Sequence, residues 1–320
     1  MSAKPFVIVA LLTSTCLTHA VRAARDDDPQ TPATHTGAAF RSSVDLVALT
    51  VTVTDAQRHF ITGLSQGDFV VTEDGVPQSI AIFARNRVPL DLAIAIDTSG
   101  SMRPVLSTAH RAAIDLVETT HPGDCVMVAG INDRANILAP LTPDTAAVTD
   151  AIRRTDASGR TALYTGLYVT LTELMHARDA GADARRQALV VLSDGQDTAS
   201  LIDYGQVMEL VGQASVTIYT IALAPSPADA WAGDSTTPDP FYVMRSFAEA
   251  TGGRVFVARK TSDLAGIYGT IADELSQQYV LGYVSTNRHR DGAFRHVAVR
   301  VTSRPGTLAR TRTGYYAPRG

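Results

Sequence analysis

The chain has 320 residues, is 45% hydrophobic and carries a formal net charge of −4. This is apolar material for one large domain or two moderate ones, and the charge balance excludes the basic field that nucleic acid or acidic lipid would need. Cys16 and Cys125 are the two cysteines, so loss of the first with a leader would leave no intramolecular disulfide, and packing must supply stability.

In chain order, Lys4, the apolar stretch Phe6 to Leu12 and the small-residue run ending Ala20-Val21-Arg22-Ala23 read as a secretory leader over 1–23. The expectation is an exported protein, periplasmic or secreted. The stretch is too short for a permanent anchor, and no other segment approaches membrane-spanning length. Residues 24–39, with Asp26-Asp27-Asp28-Pro29 and Thr31-Pro32, have the composition of a disordered spacer.

Residues 40–87 read as a small all-β unit. Val44, Leu46, Val47, Leu49, Val51 and Val53 alternate with polar residues, and Phe69-Val70-Val71-Thr72 leads through Glu73-Asp74-Gly75, a hairpin signal, into Ile80-Ala81-Ile82-Phe83. From Leu90 the texture changes. Apolar strands at 90–96, 125–131, 136–141, 187–193, 216–223 and 254–258 alternate with helical patterns at 104–120, 145–154, 162–178, 203–213, 241–251 and 262–278. Such an order requires a mostly parallel sheet covered on both faces, an open doubly wound α/β domain over 88–280. The last helix carries Leu264, Ile267, Tyr268, Ile271 and Leu275 on one face. Residues 281–320 return to β character and need partners, which the strands of 40–87 supply most economically. The pairs Arg153-Arg154 and Arg185-Arg186 read as solvated surface, and Cys125 as a small buried apolar residue.

Asp97-Thr98-Ser99-Gly100-Ser101 directly follows the apolar strand at 90–96. Side chains alternate faces along a strand, so three oxygens can converge only in a turn at its carboxyl end. Open α/β sheets bind ligands at that edge. Two other segments bring oxygens there: Ser158-Gly159-Arg160-Thr161 before a helix, and Ser193-Asp194-Gly195-Gln196-Asp197 after a strand. The candidate set is Asp97, Ser99, Ser101, Thr161 and Asp194. Hard oxygen donors select Mg²⁺, with Mn²⁺ or Ca²⁺ as alternatives, over zinc or copper. With few charges in the set, the ion remains electron-poor and should recruit a Glu or Asp carboxylate from a partner protein. The competing reading is that these residues only cap the helix near Pro104, which leaves Thr161 and Asp194 unexplained. Asp197 is expected to close its own turn.

These motifs, with Gly159-Arg160-Thr161-Ala162-Leu163-Tyr164-Thr165-Gly166-Leu167, resemble the metal-ion-dependent adhesion site of von Willebrand factor type A domains. The flanks resemble secreted bacterial proteins related to that family, through Gly63-Leu64-Ser65-Gln66-Gly67-Asp68-Phe69, Glu73-Asp74-Gly75-Val76-Pro77-Gln78 and the ending Gly314-Tyr315-Tyr316-Ala317-Pro318. The resemblance implies a Rossmann-like sheet, direct metal contacts from Ser99, Ser101 and either Thr161 or Asp194, and an Asp97 that acts through water. It also implies a binding module and not an enzyme. Met102, Arg103 and Trp231, the chain's single tryptophan, are expected to border the site and meet the partner. Two alternatives stand beside this one: a structural domain of the same fold that binds no metal, and a metal-assisted hydrolase or phosphotransferase. The second lacks a general acid, because position 99 is Ser, and the chain has no His-Glu-x-x-His and no phosphate loop.

Overall fold

The computed structural model describes residues 46–85, 88–180, 185–223 and 239–320. The leader, the spacer and Trp231 lie outside the described residues. The N-terminal flank supplies β1 (Leu46–Thr54), β2 (Phe69–Glu73), β3 (Val76–Gln78) and β4 (Ile80–Ala84). The middle of the chain runs β5 (Leu90–Asp97), α1 (Leu106–Glu118), β6 (Cys125–Ile131), β7 (Ala135–Thr142), α2 (Thr145–Arg153) and α3 (Leu163–Ala180). It continues through β8 (Arg186–Ser193), α4 (Tyr204–Gln213), β9 (Val216–Leu223), α5 (Pro240–Thr251), β10 (Val255–Ala258) and α6 (Asp263–Ser276). The last strands are β11 (Tyr279–Val284), β12 (Phe294–Val301), β13 (Leu308–Arg310) and β14 (Gly314–Tyr316).

The central sheet has the order β10-β9-β8-β5-β6-β7, and every pairing is parallel except β6 with the edge strand β7. Helices cover both faces, which explains the unbroken apolar runs. Leu92, Ile94 and Ile96 of β5 point into one core with α1, α2 and α6, while Ala93 and Ala95 point into the other with α3, α4 and α5. β7 instead alternates over most of its length between partly buried and exposed positions, as an antiparallel edge strand does. The chain leaves β5 toward β6 on one side and later returns to β8 on the other. The switch in strand order therefore lies between β5 and β8, where Asp97 and Ser193 end their strands.

The two flanks build one antiparallel sandwich, with sheets β13-β1-β11-β4 and β14-β12-β2-β3. β1 pairs with β11 from Leu46↔Val284 to Val51↔Tyr279, and β12 pairs with β2. Their inner faces enclose Leu49, Val51, Phe69, Val71, Leu281 and Tyr283. The hairpin differs from the sequence reading. Asp74 and Gly75 form its turn with φ of 47° and 80°, but the returning strand is β3 at Val76–Gln78. The chain then crosses to the other sheet, so Ile80–Ala84 pairs with β11 and not with β2.

Arg185 and Arg186 are not solvated surface. Arg185 Nε donates to Asp91 Oδ1 at 2.6 Å, neutralising a carboxylate that is 1% exposed, and Arg186 donates to the Leu275 carbonyl. A buried Asp inside a parallel strand demands such a partner. Cys125 is half-buried and unpaired, with burial pushing its thiol pKa up despite the nearby Arg185. No helix among the described residues is long and apolar enough to cross a membrane.

Candidate metal centre

Three loops meet at the β5/β8 switch. The first begins with Asp97, whose side chain is 0% exposed. Its Oδ1 accepts the Ser99 N–H at 2.9 Å and its Oδ2 accepts the Ser193 hydroxyl at 2.6 Å. Burial raises the Asp97 pKa; hydrogen bonds from Ser193 and Ser99 oppose the shift, and the charge of Asp194 adds to it. Ser99 and Ser101 flank the start of a single 3-10 turn at Gly100–Met102. Ser99 makes no side-chain cap bond, and α1 starts only at Leu106. The hydroxyls therefore do something other than cap that helix.

What they do is form a chain of oxygens. Ser99 Oγ lies 3.0 Å from Ser101 Oγ, and Ser101 Oγ donates to Asp194 Oδ2 at 2.7 Å. Asp194 is held in turn by the Gln196 N–H at 3.1 Å, and Ser193 Oγ accepts the Gly195 N–H at 2.9 Å. Asp97 and Ser99 lie buried at the floor, while Ser101 is exposed and Asp194 partly so. The set is open on its solvent side.

The second loop is tied to the first through the backbone. Gly100 N–H donates to the Gly159 carbonyl at 3.0 Å, and Ser158 N–H to the Thr98 carbonyl at 2.8 Å. Gly159 has φ of 75°, and a Cβ there would sit 2.0 Å from Asp133 Oδ2, so the approach requires glycine. Thr161, 4% exposed, is fixed by its backbone. Its N–H donates to Thr198 Oγ1 at 3.1 Å, and its carbonyl accepts the Thr198 N–H at 2.8 Å. Thr198 thereby joins the second loop to the third. Asp197 closes its turn as expected, accepting the Ser200 hydroxyl at 2.6 Å, and it also accepts the Tyr164 N–H at the start of α3.

The structure thus links Asp97, Ser99, Ser101 and Asp194 directly and sets Thr161 on the adjoining loop. Ser193 and Thr198 stand in the third motif, but the sequence reading gave neither a role. Met102 is a correction: at 1% exposure it packs in the core beneath the loop and cannot meet a partner. Arg103 is exposed, and its guanidinium donates to the Ala157 carbonyl at 2.7 Å. Gly63-Leu64-Ser65-Gln66-Gly67 has the spelling of a nucleophile elbow. Ser65, however, donates to Asp68 at 2.7 Å before a 3-10 turn that leads into β2 of the sandwich, not between a strand and an α-helix of the central sheet.

Oxygen donors around Mg²⁺ at about 2.1 Å in an octahedron sit about 3 Å apart. The Ser99, Ser101 and Asp194 spacings of 3.0 and 2.7 Å fit that edge length. Among the described residues no three His, Cys, Asp or Glu side chains form a metal cluster. The candidate set has two carboxylates, and its other donors are hydroxyls.

The family model of the von Willebrand factor type A domain matches residues 92–196, a span that contains all five candidate donors. A UPF0353 protein of Mycolicibacterium paratuberculosis is 25% identical over 214 residues, 61% of this chain and 65% of that protein's length. An uncharacterised protein of Synechocystis is 32% identical over 115 residues, 35% of this chain and 26% of its own. Among solved structures, a von Willebrand factor type A protein from Catenulispora acidiphila has a TM-score of 0.49 at 13% identity, covering 87% of this chain and 76% of that one. The vWF domain of a type V pili tip protein from Porphyromonas gingivalis has a TM-score of 0.44 at 13% identity, covering 59% and 95%. The von Willebrand factor type A family model thus matches the segment that carries all five candidate donors, and that segment lies on a doubly wound sheet.

Proposed function

We propose that the chain is an exported, Mg²⁺-dependent protein-binding module. In this reading Asp97, Ser99, Ser101, Thr161 and Asp194 hold one hard divalent cation, and a Glu or Asp side chain of a partner protein completes its coordination. The observation that carries it is the oxygen chain from Ser99 through Ser101 to Asp194, open to solvent above a buried Asp97. A helix cap needs one such oxygen, whereas a cation needs several converging from different loops. Three of the five donors are neutral hydroxyls, and with Asp97 acting through water only Asp194 would bring a charge into direct contact with the ion, which leaves it able to take an external carboxylate. Export rests on the leader-like stretch at Phe6 to Leu12.

Thermal unfolding with and without Mg²⁺ tests this. A ligand that binds only the folded state stabilises it by about 2.7 kcal/mol at a hundredfold excess over Kd. For a domain of this size that raises Tm by about 5–10 °C. Equal midpoints at millimolar Mg²⁺ favour the second reading, a structural domain of the same fold without metal. The hydrogen bond from Ser101 to Asp194 supports that alternative, because it satisfies both side chains without an ion.

A further inference from the structure

β10 is an outer strand of the central sheet and pairs only with β9, in the parallel register Val255↔Thr220. The Thr220 N–H donates to the Arg254 carbonyl at 3.0 Å. Backbone groups alternate sides along such a ladder, so Arg254 and Phe256 bond to β9 while the N–H and C=O of Val255 and Val257 point outward. Val257 is also 43% exposed. Other outer strands carry devices against further pairing. β7 contains Pro140 and β3 contains Pro77, which cannot donate to a ladder, and in β4 the Gln66 side chain takes the Ile80 carbonyl at 3.0 Å. β10 reads Val255-Phe256-Val257-Ala258, apolar throughout and without proline.

Both ends of this edge are basic. Arg254 precedes it, with its guanidinium 4.6 Å over the Phe256 ring and 3.6 Å from Glu274. Arg259 and Lys260 follow it directly, both exposed, and among the described residues neither side chain is in an ion pair. The carboxylate of that turn, Asp263, accepts the Arg259 and Lys260 N–H groups at 3.0 and 3.1 Å. It leaves the two side-chain charges in excess. A second copy's β10 fits this edge poorly. With Val255 opposite Val257, each Arg259 comes beside the other copy's Arg254, and like charges across a ladder repel.

We infer that β10 is a docking edge at which an extended acidic segment of a partner protein adds a further strand to the central sheet. Main-chain bonds to Val255 and Val257 supply the affinity, and the segment's alternate side chains supply selectivity. A carboxylate at the end of the segment meets Arg259 and Lys260. The edge contributes no donor to the candidate metal set, so docking there needs no cation.

A displayed library of random linear peptides, selected on the full chain with EDTA present throughout, tests this apart from the metal reading. The expected outcome is enrichment of peptides that carry β-branched residues at alternate positions and end in Asp or Glu. In a synthetic copy of the enriched peptide, methylating one set of alternate backbone nitrogens should weaken binding about tenfold through lost hydrogen bonds, and methylating the other set should not. The Val257→Pro chain should lose the peptide and keep a thermal midpoint close to the native one, because an outward N–H can be removed without breaking the fold. Should that chain melt early, the methylated peptides still decide. Reversing charge with Arg259→Glu and Lys260→Glu together should turn the enriched ends from acidic to basic. No enrichment, or equal binding by both methylated sets, overturns the docking edge. Enrichment without an acidic end, or an unchanged profile on the charge-reversed chain, overturns the acidic partner. A dimer in sedimentation that Val257→Pro dissolves would put a second copy on the edge and overturn it as well.

Discussion

At the scale of the residue, Asp97 decides the most. Its charge is buried, and burial raises its pKa, so without a cation the ionised form is costly. The Asp97→Asn variant removes that charge while keeping an oxygen to accept from Ser99 or Ser193. We expect its metal-free Tm to equal or exceed that of the native chain and its Mg²⁺-induced rise to vanish, both readable in one thermal scan series. A fall in the metal-free midpoint would mean that Asp97 is structural first. Asp97, Ser99, Ser101 and Asp194 were legible in the sequence because oxygens at the ends of apolar strands have one edge to occupy. The roles of Ser193 and Thr198 were not, because a hydroxyl beside a strand end does not show its partner until the loops are assembled. Met102 was misread for a related reason. Adjacency along the chain does not fix direction, and the 3-10 turn at Gly100–Met102 rotates that side chain inward.

At the scale of the element, α6 shows what holds the sandwich to the α/β layer. Glu274 is 0% exposed and accepts the Tyr219 hydroxyl of β9 at 2.8 Å and the Thr52 hydroxyl of β1 at 3.2 Å. Arg310 of β13 also donates to it, and Arg254 approaches its other oxygen at 3.6 Å. Thr52 and Arg310 are paired across β1 and β13, so one step of the ladder presents both to the helix. Replacing Glu274 by Ala removes the carboxylate partner of two part-buried guanidinium groups and leaves the Tyr219 hydroxyl with only Gln278. Breaking a fully buried pair costs about 3–5 kcal/mol, and solvent reaching the two arginines lowers this to about 2–3 kcal/mol, which should lower Tm by about 5–10 °C, and Glu274→Gln should lose less. A change within error in both would remove Glu274 from the joint. The apolar face of α6 was readable as a period of 3.6, but its buried carboxylate was not, since the Thr52 partner lies 222 positions away. The hairpin was half-readable. Asp74-Gly75 specified the turn, but nothing local said that the strand would stop at Gln78 and change sheets.

At the scale of the whole molecule, the sandwich is made from both ends of the described chain and closes around the middle. Beyond Glu274, Arg312 donates to Ser215 and to the Gly212 carbonyl at the end of α4, and Thr313 N–H donates to the Ala250 carbonyl of α5. A Cβ on Gly252 would meet the Thr311 backbone at 2.4 Å. Joints this close and this polar make separate melting of the two layers unfavourable. We expect one calorimetric transition with equal calorimetric and van't Hoff enthalpies; two resolved transitions would show that the layers are independent. The doubly wound order was legible because helix and strand periods alternate along the sequence. That flanking strands must find partners was also legible, from the marginal stability of isolated hairpins, but their register came only with the structure.

The central claim is that oxygens from three loops hold one hard cation, and paramagnetic Mn²⁺ reports it directly. With backbone amides assigned, substoichiometric Mn²⁺ should broaden the signals around Ser99, Ser101, Thr161 and Asp194 first, and Asp97→Asn should abolish the effect. Broadening centred elsewhere, or none at millimolar Mn²⁺, would contradict the account.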